Sequence, residues 1–458
     1  MTMSKFGSRL RDVVRGQREQ GVHHEGPPVD EPSTLAPAHT ADAPRDGATD
    51  RLAANAAAAL GGEVLESPDG PCVVVERRYA AGHRHGTLRL GDCTVDGLQS
   101  GQAFPLLVGA GIDADVTGLG DILFVDLETT GLAGGAGTFA FLVGCAWFDG
   151  DTFHVRQYMM PGHALERAQL AAVRDRVETC AALVTYNGRS FDVPVLETRY
   201  LYHRQPPPTA ARPHLDMLHV ARRLWRSARP VVRVPGSQSE SCTLGTLERV
   251  LFGVRRHGDV PGFEIPGRYF AFLRTGYAQP LQPVFEHNRL DLVSLAALTA
   301  RALRLVEAAP DAAEQPRECY GLGRLFERVG ALERAEACYR RTLTLTERSW
   351  HLDDDLVRGE ALRAMALRCR RTGRYEEAAS HWEAITGLRR CQDALRREAI
   401  EALAIHHEHR SRDLDVARAF AERLAGPDRA SDDTSRRLAR LARKIERRHM
   451  PVERPLLM

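Results

Sequence analysis

ILFVDLETTG, residues 122–131, begins with four consecutive apolar side chains, Ile122 to Val125, and then places two carboxylates, Asp126 and Glu128, ahead of a glycine. A short unbroken apolar run reads as a strand covered on both faces. Residues i and i+2 of a strand point to the same side, so the two carboxylates share a face. Holding both there is costly unless something compensates them. A divalent cation does so, since Mg²⁺ and Mn²⁺ favour oxygen ligands. Taken alone, a D-x-E at a strand end is also the pattern of two solvated charges.

Outward from this strand, FAFLVGCAWF (139–148) and FHVRQYM (153–159) read as two further strands joined by a turn at Asp149-Gly150-Asp151. Helical spacing covers 163–178, a short strand 183–186, and helices 191–203, 214–226, 243–252, 267–275 and 281–306, with 227–242 a surface loop. Antiparallel strands followed by alternating helices and strands predict an α/β domain, with a mixed five-stranded sheet, over 115–306. Residues 1–48, rich in Pro, Ala, Gly and charge, read as a disordered tail, and 49–114 as a small β-rich segment.

From 310 to 445 the pattern is helical throughout. GRLFERVGALERAEACYRRTL, ALRCRRTGRYEEAASHWEAI and AIHHEHRSRDLDVARAFAERL each read as helix, turn, helix. The turns fall at Gly330, Gly373 and near Arg412; Ala335, Ala378 and Ala417 follow, then Tyr339, Trp382 and Phe420. The recurrence, about 40 residues, is somewhat longer than the ~34 of tetratricopeptide (TPR) arrays, which the small Ala and following aromatic positions resemble. An all-α helical-repeat domain that binds a protein partner is expected, with 446–458 a tail.

Two more segments carry acids on suitable elements. In TYNGRSFDVPVL, Asp192 opens a helix after a strand and a glycine turn, a position where Asp also serves as a cap. In EHNRLDLVSLAAL, His287 and Asp291 stand four apart on one helix face, and Leu290, Val293, Leu295 and Leu298 give the same helix an apolar face. Together VDLETTG, Asn187 to Asp192 and HNRLD resemble the three motifs of the DEDD (DnaQ-like) 3′-5′ exonuclease superfamily, which has the ribonuclease-H-like fold. YNGRSFDVPVL, CTLGTLERVLFG, IPGRYFAFLRTG and HNRLDLVSL resemble the YprB-like predicted exonuclease group within it, over roughly residues 50–305.

The resemblance implies a metal-dependent nuclease hydrolysing the phosphodiesters of DNA or RNA. It implies that Asp126, Glu128, Asp192 and Asp291 hold two Mg²⁺ or Mn²⁺ ions, and that His287 positions the attacking water. It also implies that Thr129, Asn187 and Phe191 meet the substrate. In the third motif one DEDD subgroup has His five positions before the last Asp and the other has Tyr four before it; here the His of the first stands at the spacing of the second. Imidazole titrates near physiological pH and remains suited to orienting water. Two other readings stay open: a non-catalytic nucleic-acid-binding module acting mainly through its repeats, and an endonuclease of the ribonuclease H class.

The remaining signals mostly exclude. Lys+Arg number 62 and Asp+Glu 60, so net charge alone argues for no polyanion partner and local patches must supply any attraction. Nine Cys without a CxxC pair support neither a disulfide framework nor a zinc site. No stretch long and apolar enough for a signal peptide or a membrane span occurs, and a cytoplasmic protein is expected. GLAGGAGTFA contains G-x-G-x-x-A, yet the residues after it alternate like a strand, where a dinucleotide site needs a helix. Asp216 is either a group supporting the acids or a helix cap. Arg222, Arg223, Arg226, Arg229 and Arg233 form a local basic cluster, and Tyr186, Phe191, Tyr269 and Phe270 are either base-stacking or core aromatics.

Overall fold

The N-terminal β-rich segment starts with a helix, α1 (Gly47–Leu60), because Ala56 to Ala59 are four of the strongest helix formers in a row. Strands β1 (Glu63–Ser67) and β2 (Gly70–Tyr79) follow, then a two-residue hairpin at 84–89 and a short helix α2 (Ala103–Val108). The central run comprises β3 (Ile122–Thr129), β4 (Ala140–Asp149), β5 (Thr152–Met159), α3 (Glu166–Glu178), β6 (Ala182–Thr185), α4 (Asp192–Tyr202), β7 (His214–Asp216) and α5 (Met217–Leu224). Helices α6 (Leu244–Phe252), α7 (Ile265–Thr275) and α8 (Gln282–Glu307) complete this part. The computed structural model describes residues 47–93, 103–109, 121–131, 137–226, 242–347, 352–425 and 432–449.

The sheet is mixed, as expected, but has seven strands rather than five, in the order β1-β2-β5-β4-β3-β6-β7. Strands β1 to β5 pair antiparallel with one another, and β6 and β7 run parallel to β3. Four of the seven are the strands placed from sequence at Ile122, 139–148, 153–159 and 183–186; of the other three, two come from 63–79, where β2 pairs along its length with β5, Val73 opposite Met159 and Tyr79 opposite Phe153. The third is His214-Leu215-Asp216, expected to be helical; it pairs beside β6 and buries Leu215, and three residues are too few to display a period. The strand expected after GLAGGAG is present from Ala140, as the dinucleotide argument requires; residues 132–136 of that turn lie outside the described residues. So do the tail to residue 46, the loop 227–241 with Arg229 and Arg233, and 450–458.

Alternation along β3 sorts its side chains between two cores. Leu123, Val125 and Leu127 join α3 residues Leu170, Val173 and Val177 on one face. Ile122 and Phe124 join α8 residues Leu292, Leu295 and Ala296 on the other. Asp126 and Glu128 continue this second row, so they emerge on the α8 side at the strand's end.

The C-terminal region is all-helical: α9 (Pro316–Arg328), α10 (Leu332–Glu347), α11 (Leu352–Arg371), α12 (Tyr375–Thr386), α13 (Asp393–His409), α14 (Leu414–Ala425) and α15 (Asp432–His449). The turns within the first three pairs contain Gly330, Gly373 and Arg412, all at positive φ. Ala335, Ala378 and Ala417 are buried where the paired helices meet. The core on the α8 face continues without a break into α9 and α10 through Leu322, Phe326 and Tyr339.

Candidate active site

Asp126 and Glu128 sit where β3 parts from β6, since pairing between those strands ends at Phe124 opposite Val184. Beyond that point β3 has backbone groups without a strand partner on this side, and Asp192 supplies one: its carboxylate accepts a hydrogen bond from the Leu127 backbone N–H. The side chain therefore turns toward β3 and does not cap α4, whose cap position is Phe191 with no side-chain bond. The preceding turn is held from below. Asp216 accepts from Asn187 N at 2.8 Å and Arg189 N at 3.1 Å, and also caps α5 through Leu218 N at 3.0 Å. Asn187 adopts φ 64°, and Gly188 allows the tight return: a Cβ there would stand 2.7 Å from Asp192 Oδ2.

Helix α8 brings the rest. Fully buried Asn288 donates to Asp126 Oδ2 at 2.8 Å and to Asp126 O at 3.1 Å. Its own amide is oriented by Gln157, which donates to Asn288 Oδ1 at 2.9 Å. Helix and sheet approach this closely because β4 has Gly144, where a Cβ would lie 2.2 Å from Asn288 Oδ1. Asp291, one turn along, accepts from Arg256 Nη2 at 2.5 Å, and His287 Nε2 is 3.6 Å from its other oxygen. His287 Nδ1 in turn meets Asp259 at 2.6 Å.

Burial pushes the carboxyls of Asp126 and Glu128 well above the usual range, and Asp291 is the next cause for each. Burial likewise raises Asp192 to about 7, with Asp216 and Asp291 adding repulsion. Mutual repulsion shows that β3, α4 and α8 bring the four acids into one neighbourhood. Among the described residues the acids differ in partners: Asp291 has Arg256, whereas Asp126 has the neutral Asn288 amide and Asp192 backbone donors. Among the described residues no three His, Cys, Asp or Glu side chains enclose a point at ligand distance; Asp291 is turned toward Arg256 instead. The donor set, four carboxylates with three raised by burial and then by one another's charge, still fits a hard divalent cation.

The substrate-facing expectations are distributed around this centre. Thr129 sits at a register shift of β3 and its hydroxyl donates to Gly131 O at 2.9 Å. Asn187 is half-buried in the turn, and Phe191 is 52% exposed beside Asp192, open to a base. Tyr269 is core, and Tyr186 is tied to the Cys242 carbonyl.

Reading the sequence missed Arg256, Asp259, Glu248, Asn288 and Gln157. Buried Glu248 takes Arg256 in a two-point pair at 2.7 and 2.8 Å and accepts from Ser294. Ser294 meets His85 Nε2 at 2.8 Å; burial lowers His85 to about 4, which keeps it neutral, so the 84–89 hairpin braces the site from outside. Asn288 stood inside HNRLD; the others had no signal beyond ordinary loop or core composition.

Residues 123–303 match the family model RNase_H_2, of the RNase_H superfamily. The chain is also similar to "Uncharacterized protein YprB" of Bacillus subtilis (strain 168), at 29% identity over 82% of this chain and 87% of that protein. The domain around the four acids is therefore ribonuclease-H-like. No helix among the described residues is long and apolar enough to cross a membrane.

Proposed function

We propose that the chain is a metal-dependent nuclease that hydrolyses nucleic-acid phosphodiesters, removing nucleotides from a 3′ end. The observation that carries the reading is the set of three carboxylates, Asp126, Glu128 and Asp192, from two separate elements, raised by burial and mutual repulsion and without a cationic partner among the described residues. A protein gains nothing in stability from such a cluster; a site for divalent cations does. Asp126, Glu128, Asp192 and Asp291 would hold two Mg²⁺ or Mn²⁺ ions. Such ions, when bound, supply Lewis acidity and neutralise charge on the phosphoryl group.

The chain's own residues do the rest. With Nδ1 donating to Asp259, His287 presents Nε2 as an acceptor on the Asp291 side, where it would take the proton of an attacking water that contacts both groups. Gln157 and Asn288 fix the direction of the Asp126 carboxylate. Phe191 offers its exposed face to the terminal base, with Thr129 and Asn187 beside it.

The test is purified protein on end-labelled single strands of DNA and of RNA, with Mg²⁺, Mn²⁺ and EDTA arms and Asp126→Asn as control. Stepwise shortening from the 3′ end in the metal arms alone, absent in the variant, is the expected result. Equal cleavage by Asp126→Asn refutes the site, and equal cleavage of a circular strand refutes the exonuclease assignment.

A further inference from the structure

Helix α9 borders a groove of about 520 Å³ where the ribonuclease-H-like domain meets the helical region. Its lining carries five arginines, Arg223, Arg317, Arg324, Arg328 and Arg363, against two glutamates, Glu360 and Glu398. The glutamates are already engaged, Glu360 by Arg317 at 2.6 Å and Glu398 by Arg363 at 2.7 Å, and Arg324 is paired with Glu327 beside the groove at 3.3 Å. Arg223 and Arg328 have no carboxylate at ion-pair distance among the described residues. Burial, and then the nearby Arg328, push the Arg223 guanidinium below its usual range. Arg317 keeps its Nε buried without a partner. Like charges held together in a partly buried groove are unfavourable alone and need an anion.

Two features narrow that anion's chemistry. Tyr320, Arg324 and Arg328 recur every four residues along α9, forming a row of one ring and two planar cations on one face. Arg223, near the end of α5, extends the row into the other domain, and the junction is braced by Trp225 Nε1 donating to buried Glu318 at 2.8 Å. The cap of α5 is Asp216, which holds the turn beside Asp192. One helix of about 12 Å therefore links the groove to the acids.

We infer that this groove binds the phosphate backbone of a single nucleic-acid strand, with Tyr320 against a base, and so tracks the strand whose end occupies the acidic site. This rests on the nuclease reading above, and it replaces a protein by a polyanion as the occupant of this face of the helical region. Arginine forks match phosphate oxygens, and an aromatic ring among them tolerates any base.

The test uses the full-length chain with fluorescein-labelled oligo-dT and oligo-U of about 20 nucleotides, binding being read by anisotropy in EDTA across a salt series. Arg223→Ala/Arg328→Ala should weaken both strands about tenfold or more and make the log–log salt slope shallower by about 1.4, about 0.7 per lost phosphate contact. Arg418→Ala/Arg436→Ala, an equal charge loss outside the groove, should leave the slope in place, and Arg223→Lys/Arg328→Lys should retain it. An unchanged slope in the alanine pair overturns the inference. So does failure of the wild type to bind either strand, or a polyglutamate peptide binding where the strands do not. Because no cleavage is needed, a chain that binds as described and cuts nothing removes the nuclease reading alone. A chain that cuts but shows no change of slope removes the groove alone.

Discussion

Asp192→Asn should make the metal-free protein more stable at neutral and alkaline pH, although it removes a residue of the active centre. The Asp192 carboxyl is raised from 3.8 to about 7, first by burial and then by Asp216 and Asp291. An acid whose pKa is higher folded than unfolded makes the native state the better proton binder. Stability is then fully present below about 3.8 and is lost as pH rises to about 7. At about 1.4 kcal/mol per pH unit, ionised Asp192 costs the metal-free fold a ceiling of about 4 kcal/mol at pH 8. An asparagine keeps an oxygen to accept from the Leu127 N–H and carries none of the charge. Thermal melts in EDTA from pH 4 to 9 measure the difference, which should be near zero at the acid end and several degrees in favour of the variant at the alkaline end. Adding Mn²⁺ should reverse the order, stabilising the wild type and leaving Asp192→Asn nearly unmoved. A variant less stable than wild type at pH 8 in EDTA, or a difference that does not grow with pH, would refute the account of the acids as an uncompensated cluster.

His287→Ala should lower kcat by about 10² to 10⁴ while Mn²⁺-induced stabilisation persists, because its Nδ1 is held by Asp259 and its Nε2 stands 3.6 Å from the Asp291 oxygen that Arg256 does not hold; loss of Mn²⁺ binding would make it a ligand instead. Gly144→Ala should drive a Cβ into Asn288, costing about 1 to 3 kcal/mol in denaturant melts and about 10- to 100-fold in activity as Asp126 loses its donor; an unaltered turnover would sink the positioning role. Arg440, followed by Lys444, holds the Glu408 carboxylate down to about 2 from 4.5, so the tie of α15 to α13 is present above about pH 4.5 and lost as pH falls toward 2. The melting difference between wild type and Glu408→Gln should shrink over that window, and one constant with pH would show the pair to be inert.

Much of the sheet and of the acidic site was legible because local rules govern both. Ile122 to Val125 are apolar without interruption, and this implied cover on both faces before any neighbour was known. The i, i+2 step put Asp126 and Glu128 on one side, and the four-residue step put His287 with Asp291; 3.6 Å separates the latter pair. The helical turns at Gly330 and Gly373 were readable because positive φ favours glycine. That Asp192 belongs with these acids came only through resemblance, since an Asp opening a helix is otherwise a cap.

Contacts beyond the reach of reading are non-local. Arg256 meets Asp291 across 35 positions of sequence, Gln157 meets Asn288 across 131, and Asn288 meets Asp126 across 162. Such pairs leave no period or spacing, because chain distance carries no record of which surfaces will pack. The same holds for β1 and β2, which look like a separate β-rich segment until β5 offers an open edge. The chain by itself determined the elements and the faces on which the acids stand, because backbone geometry repeats every two or 3.6 residues. Tertiary structure alone decided which acid has a cation beside it and which is left charged without one, because that depends on the loop from α6 that carries Arg256 to Asp291.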